Sequence, residues 1–312
     1  CQVGDRERGF CGVRENRDGV YYTLVYGSAA AANPDPIEKK PFFHFLPGTM
    51  AFSIATAGCN FTCKDCQNWE LSQSRPEQVP SMYLPPAEVA RQARANDCRS
   101  IAYTYNEPVI FYEYMHDTAV EARKQGVRSV VVSNGYIDRQ PLLHLLPRID
   151  AFKVDLKGFS EQFYAKYCSG TLRPVLETIK TVKQQGVWLE IVYLVVPTIN
   201  DDPKTIEAVC NWLRDNVGRE VPMHFSRFYP DYQLRNLPPT PYSTLQRCYK
   251  IAKSAGLHFV YLGNVQRGPE MDTYCPGCGA LLIERQGFWV SKNRLKNGRC
   301  PNCGRKIPGV WS

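Results

Sequence analysis

A short loop carries three cysteines, Cys59, Cys63 and Cys66, directly after the apolar stretch 50–57. Their C-x3-C-x2-C spacing lets each thiolate bind a different iron of a four-iron cluster. No further cysteine follows until Cys98, so we expect one iron to lack a protein ligand. Clusters held by four cysteines carry electrons, whereas an open iron can chelate a small molecule and pass an electron into it. The spacing therefore predicts a site that cleaves a bound cofactor.

Two other interpretations of the three cysteines are a zinc knuckle and a set of buried thiols. Zinc knuckles generally pair two C-x2-C units, and no second pair lies near this loop. The spacing therefore favours the iron–sulfur cluster.

The C-terminal part carries a second set of cysteines in two C-x2-C pairs, Cys275 with Cys278 and Cys300 with Cys303. Four thiolates close a tetrahedral site, and the 21 residues between the pairs slightly exceed the usual ~15–20. We predict a structural zinc ribbon, whose metal would stabilise a segment with little core of its own. A single iron in a rubredoxin-like site, or an auxiliary cluster, is the alternative that the spacing leaves open.

Composition indicates a soluble globular protein. Of the 312 residues, 44% are hydrophobic and 22% are charged, and no apolar run approaches the roughly 18 residues of a membrane span. The net charge of +8 comes from dispersed basic residues, so the sequence gives no support for nucleic-acid binding.

The thirteen cysteines favour a reducing compartment over a secreted disulfide framework. Their number is odd, and several lie at metal-type spacings. The chain starts at Cys1 without an initiator methionine, so we expect it to be trimmed or a fragment, which leaves open a lost targeting segment. The expected location is the cytoplasm, and an oxygen-sensitive cluster indicates an anaerobic host.

From 50 to about 263, short β-branched or aromatic runs alternate with longer amphipathic stretches, the pattern of repeated βα units. The predicted strands are 51–56, 100–105, 129–133, 151–156, 188–195, 223–228 and 258–262. The clearest helix signals are 86–95, 109–125, 172–185 and 203–216. We predict an α/β fold: an N-terminal extension over 1–48, a partial (β/α)6-type TIM barrel over 49–266, and the four-cysteine ribbon over 267–312.

Polar residues follow the predicted strands where those strands end. Cys59 follows the first strand, Glu107 the second and Asn134 the third, while Asp155 and Lys157 end the fourth. Barrels and open parallel sheets bind ligands at the carboxyl ends of strands. We therefore expect these side chains to surround one site, although loops after strands are polar in any protein.

Six runs of the sequence carry a specific resemblance to a known family. They are 35–41 (DPIEKKP), 44–48 (HFLPG), 58–68, 104–108 (TYNEP), 154–157 (VDLK) and 261–265 (YLGNV). In this order, over nearly the full chain, they resemble the AmmeMemoRadiSam radical S-adenosylmethionine (SAM) enzymes, relatives of pyruvate formate-lyase activating enzyme. The resemblance implies that SAM chelates the open iron through its amino and carboxylate groups. The reduced cluster then breaks the sulfonium, giving methionine and a 5'-deoxyadenosyl radical that removes a hydrogen atom from the substrate.

The resemblance also implies which residues contact SAM. Asn106 and Glu107 stand where the SAM ammonium is accepted, and a carboxylate suits that task because charge-assisted hydrogen bonds are about twice as strong as neutral ones. Asn134 stands near the ribose. Lys157 stands near the methionine carboxylate, and Asp155 helps to hold a cation or the site.

His224, on the strand 223–228, is a further candidate for a SAM contact. Each of these residues has a plainer alternative. The runs at 106–108 and 133–135 also suit ordinary turns, and Asp155 with Lys157 also suits a surface ion pair. A hydrogen-bonded core histidine is the alternative for His224.

One position departs from the family. Many radical SAM proteins carry an aromatic residue directly before the third cluster cysteine, where it packs on adenine, whereas this chain has Asp65. We expect Phe61 or Trp69 to supply the adenine contact instead.

Six cysteines stand outside the two metal-type sets. Cys1 and Cys11 suggest the remnant of another metal site, because family members carry a further cysteine shortly upstream. Small buried side chains are expected at the remaining four: Cys98, Cys168, Cys210 and Cys248. Of these, Cys168 is the one to test as a reactive thiol.

The sequence thus predicts a radical SAM enzyme, similar to the activating-enzyme oxidoreductases and lyases, that has no catalytic residue beyond the cluster and SAM. Reduction needs an external donor such as flavodoxin or ferredoxin. One substrate hypothesis is a glycyl radical enzyme. The other, which we favour, is a small molecule or a partner encoded nearby, including the Memo-type and Ammecr-type proteins of the family name. A third hypothesis, an iron–sulfur or zinc-ribbon binding protein, predicts no SAM cleavage.

Overall fold

Seven apolar segments form neighbouring parallel strands, each joined to the next by a long connection that contains a helix. The computed structural model describes residues 2–266 and 268–312. Its strands are β1 (Arg14–Arg17), β2 (Val20–Thr23), β3 (Ser28–Ala29), β4 (Ala31–Pro36), β5 (Met50–Ala55), β6 (Met82–Tyr83), β7 (Cys98–Tyr103), β8 (Arg128–Ser133), β9 (Ala151–Asp155), β10 (Trp188–Val195), β11 (Met223–Arg227), β12 (Val260–Gly263), β13 (Thr273–Tyr274), β14 (Leu281–Gln286) and β15 (Trp289–Asn293). Its helices are α1 (Trp69–Ser72), α2 (Pro86–Ala95), α3 (Tyr112–Lys124), α4 (Arg139–Leu145), α5 (Glu161–Phe163), α6 (Leu172–Gln184), α7 (Pro203–Asn216) and α8 (Tyr242–Ser254).

The central sheet has eight strands in the order β12-β11-β10-β9-β8-β7-β5-β4. Every neighbouring pair from β5 to β12 is parallel, whereas β4, from the predicted N-terminal extension, runs antiparallel to β5. The parallel strands follow one another in space as they do in sequence, so each crossover moves one strand along the sheet. The predicted α/β fold with a parallel central sheet is confirmed.

The helices begin where local chemistry favours a start. The Asp202 carboxylate accepts a hydrogen bond from the Thr205 N–H at 3.0 Å, and Pro203 occupies the first turn of α7. The helix predicted over 109–125 divides into a 3-10 turn, Pro108–Phe111, and the α-helix α3.

A stretch of the N-terminal part, which we call the floor segment (residues 37–48), covers one face of the sheet. We call this face the inner face; small apolar side chains on it, such as Ala51 and Ala151, lie toward the amino ends of the strands. Phe42 and Phe45 of the floor segment pack against them and are fully buried. The floor segment therefore covers the inner face near the amino ends of the strands and leaves their carboxyl ends uncovered.

A buried carboxylate fastens the floor segment to the sheet. Glu190 on β10 accepts hydrogen bonds from the backbone N–H groups of Phe43 at 3.0 Å and His44 at 2.8 Å. Trp188 Nε1 donates to it at 3.0 Å, and His224 Nε2 lies 2.8 Å from it. Burial by itself raises the pKa of Glu190, but the histidine outweighs it and holds the pKa below its usual value.

The strands β13, β14 and β15 form a separate antiparallel sheet at the C-terminal end. Arg285 on β14 anchors it, because its guanidinium donates to the Phe43 carbonyl at 2.8 Å and to Thr273 Oγ1 at 2.9 Å. Its Nε lies 3.9 Å from Glu38 Oε1, and neither side chain has exposed surface. The C-terminal sheet is therefore joined to the floor segment through buried charged groups.

The N-terminal part adds a hairpin of β1 and β2 and a short ladder of β3 and β6. Val13 and Val25 anchor this part in the main apolar core. An ion pair of Arg14 with Glu113 at 2.6 Å reaches helix α3. Within the described residues, every helix falls short of the length or the apolar character that a membrane span requires.

We predict that Arg285→Ala lowers the free energy of unfolding by about 3–5 kcal/mol, because it leaves the buried Glu38 carboxylate without its positive neighbour. Arg173→Ala, at an exposed position of α6, should change it by about 0.5 kcal/mol or less. Urea unfolding of both metal-loaded variants, followed by circular dichroism, measures the difference. Equal effects of the two substitutions would contradict the anchoring role of the buried guanidinium.

Candidate functional site

The three loop cysteines lie on a turn that leaves the carboxyl end of β5. Gly58 opens this turn at φ 89°, and a Cβ atom there would lie 2.4 Å from the Cys11 carbonyl oxygen, so only glycine fits. On the other side, the Thr62 N–H donates to the Cys168 carbonyl at 3.1 Å, in the π-helical turn Tyr164–Cys168. Backbone contacts therefore hold the loop on both sides.

One cavity of about 460 Å³ collects side chains from this loop and from the carboxyl ends of the strands. The predicted site residues that line it are Cys59, Cys63, Cys66, Asn106, Glu107, Asn134, Asp155 and Lys157. Its size is in the range of small-molecule sites, ~300–1,000 Å³. A larger cleft of about 740 Å³ lies between α7 and α8, but the residues that line it include no cysteine, so we place the chemistry in the smaller cavity.

The spacing of the thiols distinguishes the two cysteine sets. The ligand atoms of the four C-terminal cysteines all lie within 4.8 Å of one another, as one metal ion requires. Among the described residues, the three loop thiols share a cavity but do not form a group that close. A four-iron cluster binds each thiolate at a different iron and so needs wider spacing. The C-terminal set therefore fits a single ion, whereas the loop set, among the described residues, does not have the close spacing that a single ion requires.

Glu107 lines this cavity and is almost fully buried. Its carboxylate accepts hydrogen bonds from Ser133 Oγ at 2.7 Å, the Asn134 N–H at 2.7 Å and the Val109 N–H at 3.0 Å. Burial raises the pKa of Glu107 to about 7, against these hydrogen bonds, which favour the charged form. A carboxylate has about four acceptor positions, so one remains for a donor of a ligand.

Asn106 presents an oxygen without a partner. Its Nδ2 donates to the carbonyls of Thr56 at 2.7 Å and Gly58 at 2.8 Å, which fixes the orientation of the amide. Its buried Oδ1 then has no hydrogen-bond partner within the described part of the chain. An unpaired buried acceptor is costly, so a bound ligand with an N–H donor would stabilise this arrangement.

Asp155 lies between two lysines, and we call the three residues the Asp155 triad. Lys153 Nζ donates to Asp155 Oδ1, and Lys157 Nζ lies 3.5 Å from Oδ2. Burial by itself raises the pKa of Asp155, but the two ammonium groups outweigh it and hold the pKa below its usual value. Two positive charges share one carboxylate, so the triad presents a net positive charge to the cavity.

Asn134 joins the end of β8 to the cysteine loop. Its Nδ2 donates to Asn60 Oδ1 at 2.7 Å, and Asn60 Nδ2 donates to the Tyr136 carbonyl at 3.0 Å. Its own Oδ1 accepts from the Tyr136 N–H at 2.9 Å. The side chain of Asn134 therefore positions the loop as well as lining the cavity.

Three sequence candidates lie outside the cavity lining. His224 has Glu190 as its buried partner, and the structure does not bring it to the loop thiols. Phe61 is buried in the main apolar core, and Trp69 stacks on Tyr232 with ring centroids 5.3 Å apart. The aromatic side chains that line the cavity, among the described residues, are instead those of Tyr105 and Phe288.

Sequence reasoning assigned no site role to Lys39, Lys40 or Lys153, which also line the cavity. Lys153 carried a usable signal, since it stands two positions before Asp155 on a strand whose alternate residues share a face. Lys39 and Lys40 lie at the end of a short 3-10 turn and carry no periodic signal.

The four C-terminal cysteines converge from two similar turns. The Sγ atoms of Cys275 and Cys303 lie 3.6 Å apart, as do those of Cys278 and Cys300. In both turns a glycine N–H donates to the carbonyl of the first cysteine at 2.9 Å. This group could hold one metal ion, and four thiolates suit either zinc or iron.

The other cysteines have simpler surroundings. Cys98, Cys168, Cys210 and Cys248 are all buried. Cys168 is fully buried in the main apolar core, so solvent does not reach its thiol. Cys11 is half-buried beside Gly58. Cys1, and with it the metal site expected from Cys1 and Cys11, lies outside the described residues.

Comparison with known proteins gives a consistent family relationship. The model of the radical SAM superfamily matches residues 53–210. The chain is 47% identical over 309 residues to an uncharacterized protein of Methanocaldococcus jannaschii, covering 98% of this chain and 92% of that protein. It is 22% identical over 225 residues to the pyruvate formate-lyase 1-activating enzyme of Escherichia coli, covering 67% of this chain and 91% of that enzyme. The fold is similar to that of Streptococcus suis SuiB bound to S-adenosylmethionine, with a TM-score of 0.53 and 10% identity, covering 66% of this chain and 48% of that chain.

We predict that the two cysteine sets bind metal independently. Cys300→Ser should remove about one metal ion per chain and leave the iron of the loop, because a fourth thiolate completes the C-terminal site. Cys63→Ser should lower the iron content and leave the C-terminal ion, and Cys248→Ser, a buried control, should change neither. Mass spectrometry of metals in anaerobically purified protein measures both. Loss of the same metal in the same proportion from Cys63→Ser and Cys300→Ser would contradict two separate sites.

Proposed function

Since this chain belongs to the radical SAM superfamily, we propose that it cleaves SAM reductively at a 4Fe-4S cluster held by Cys59, Cys63 and Cys66. The family implies both cofactors. One observation carries the assignment of residues: the three thiols share a cavity with Glu107 and Asp155 at the carboxyl ends of parallel strands.

When bound, the cluster would supply one electron and SAM the 5'-deoxyadenosyl radical that removes a hydrogen atom from the substrate. The residues of the chain orient the bound groups. Lys157, with Asp155, presents a positive charge to the methionine carboxylate of SAM. Asn106 Oδ1 and the free acceptor position of Glu107 accept N–H donors of the SAM ammonium.

We further propose that the sheet curves around this cavity as the partial barrel that the βα repeat predicts. In support, side chains of four successive strands line one cavity: Val132, Lys153, Val192 and Ser226. The floor segment packs across the inner face toward the amino ends of the strands. An enclosure of this kind would keep water away from a radical.

Further parts of the proposal rest on the sequence. The runs 35–41 and 104–108 support membership of the AmmeMemoRadiSam group and, with it, a small molecule or a Memo-type or Ammecr-type protein as the target. Flavodoxin or ferredoxin would supply the electron. Four thiolates in a closed set support structural zinc at the C-terminal site, and free cysteines support a cytoplasmic location.

A second candidate function is activation of a glycyl radical enzyme by hydrogen abstraction from a glycine. The 22% identity to the pyruvate formate-lyase 1-activating enzyme over 67% of this chain favours it. The segments at both ends of the chain distinguish it from a minimal activating enzyme.

We predict that the anaerobically reconstituted chain forms 5'-deoxyadenosine from SAM when dithionite is added. Cys63→Ala should reduce the product to background, because the loop then lacks one thiolate of the cluster. Cys210→Ala, a buried cysteine of α7 outside the cavity, should retain activity. Chromatography measures the 5'-deoxyadenosine formed. Equal amounts from the wild-type chain and from Cys63→Ala would contradict SAM cleavage at a cluster held by the loop cysteines.

The two substrate classes give opposite results by electron spin resonance. If the chain targets a small molecule, we predict that incubation with SAM, reductant and candidate glycyl radical enzymes gives no glycine-centred signal while 5'-deoxyadenosine still forms. The known activating enzyme of a candidate protein serves as the positive control. A glycine-centred signal from this chain would establish the second candidate function instead.

A further inference from the structure

A second arrangement of two lysines around one carboxylate lines the same cavity, in a part of the chain that the proposed function does not use. Asp35, at the end of β4, accepts hydrogen bonds from Lys39 Nζ at 2.7 Å and Lys40 Nζ at 2.7 Å. We call these three residues the Asp35 triad. Both lysines line the cavity beside Tyr105.

The Asp35 triad is rigidly built. Tyr105 Oη donates to Asp35 Oδ2 at 2.5 Å, and Lys40 Nζ lies 4.1 Å from the centre of the Tyr105 ring. The side chain of Lys40 is 3% exposed, whereas that of Lys39, which also lines the cavity, is 45% exposed. Ordering and burying a lysine in this way is unfavourable in free energy, because the side chain loses conformational freedom and the ammonium loses its hydration. A solvated surface lysine has neither cost.

The Asp35 triad has one positive charge in excess. Burial raises the pKa of Tyr105 to about 12, so its hydroxyl stays neutral and two ammonium groups share one carboxylate. Burial also lowers the pKa of Lys40 to about 8, and Lys39 and Lys153 act in the same direction against Asp35. Because burial is the main cause, an anion that binds beside Lys40 would favour its charged form.

The other charged groups of the cavity do not supply that counter-charge. The carboxylates that line it are Asp65, Glu107 and Asp155. Asp155 pairs with Lys153 and Lys157, and Asp65 acts with it on the Lys157 ammonium. Glu107 accepts hydrogen bonds from three donors. Lys39 and Lys40 have Asp35 as their ion-pair partner among the described residues. In the proposed function, the methionine carboxylate of SAM faces the Asp155 triad and is not the counter-charge of Lys39 and Lys40.

We infer that the Asp35 triad binds an anionic group, a carboxylate or a phosphate, of the substrate. The inference rests on the proposed function and names its substrate class. Both lysines would donate charge-assisted hydrogen bonds to the anion, with Lys40 fixed by Tyr105 and Lys39 free to adjust.

Binding of two labelled probes, inorganic phosphate and succinate, to the anaerobic, cluster-loaded chain with SAM and without reductant tests this inference. Equilibrium dialysis should show saturable binding of one or both, and the preferred probe identifies the anion. Lys39→Gln should weaken binding by at least about tenfold, and the double variant with Lys40→Gln should weaken it further. Lys250→Gln, at an exposed position of α8, is the matched control and should leave binding unchanged.

Absence of saturable binding to the wild-type chain would overturn the inference, as would equal binding by Lys39→Gln and wild type. A second measurement needs no variant: bound probe should protect Lys39, the more exposed of the two lysines, from reductive methylation, as read by mass spectrometry. Equal methylation of Lys39 with and without the probe would overturn the inference. Failure of the proposed function is visible separately, as absence of SAM binding in the same dialysis. In that case, dialysis of the cluster-loaded chain with phosphate or succinate, without SAM, still shows whether the Asp35 triad binds an anion.

Discussion

The rest of the structure depends on the hydrogen bonds that the buried carboxylate of Glu190 accepts from the floor segment. A parallel sheet needs cover on both faces, and here an irregular stretch of chain provides it on the inner face. Glu190 accepts the backbone N–H groups of Phe43 and His44, so it fixes the floor segment against the strands. Because the floor stops below the carboxyl ends of the strands, a polar cavity remains above it.

Charge in that cavity is arranged in two similar units. Asp155 is shared by Lys153 and Lys157, and Asp35 is shared by two lysines of the N-terminal part. Charges buried in this way are costly unless paired, so each unit gains stability from an anion that completes it. In the proposed function, the carboxylate of SAM is the anion at the Asp155 triad, and we infer that an anionic group of the substrate is the one at the Asp35 triad.

Much of this site could be predicted from the sequence, because its signals are local. Cysteine spacing, alternating strands and helices, and polar residues directly after strands each depend on a few neighbouring positions. The partner of His224 was not predictable in this way, because Glu190 lies on another strand and nothing in the spacing joins them. The floor segment was also missed, since it has no regular period, and with it the position of Lys39 and Lys40 beside the cavity.

The central claim is that the loop cysteines leave one iron of a cluster open to SAM. The most direct test is electron–nuclear double resonance of the reduced cluster with SAM that carries an isotopic label at its amino nitrogen. The account predicts a hyperfine coupling between that nitrogen and the cluster, which is absent without SAM. A cluster spectrum that is identical with and without labelled SAM would contradict the account.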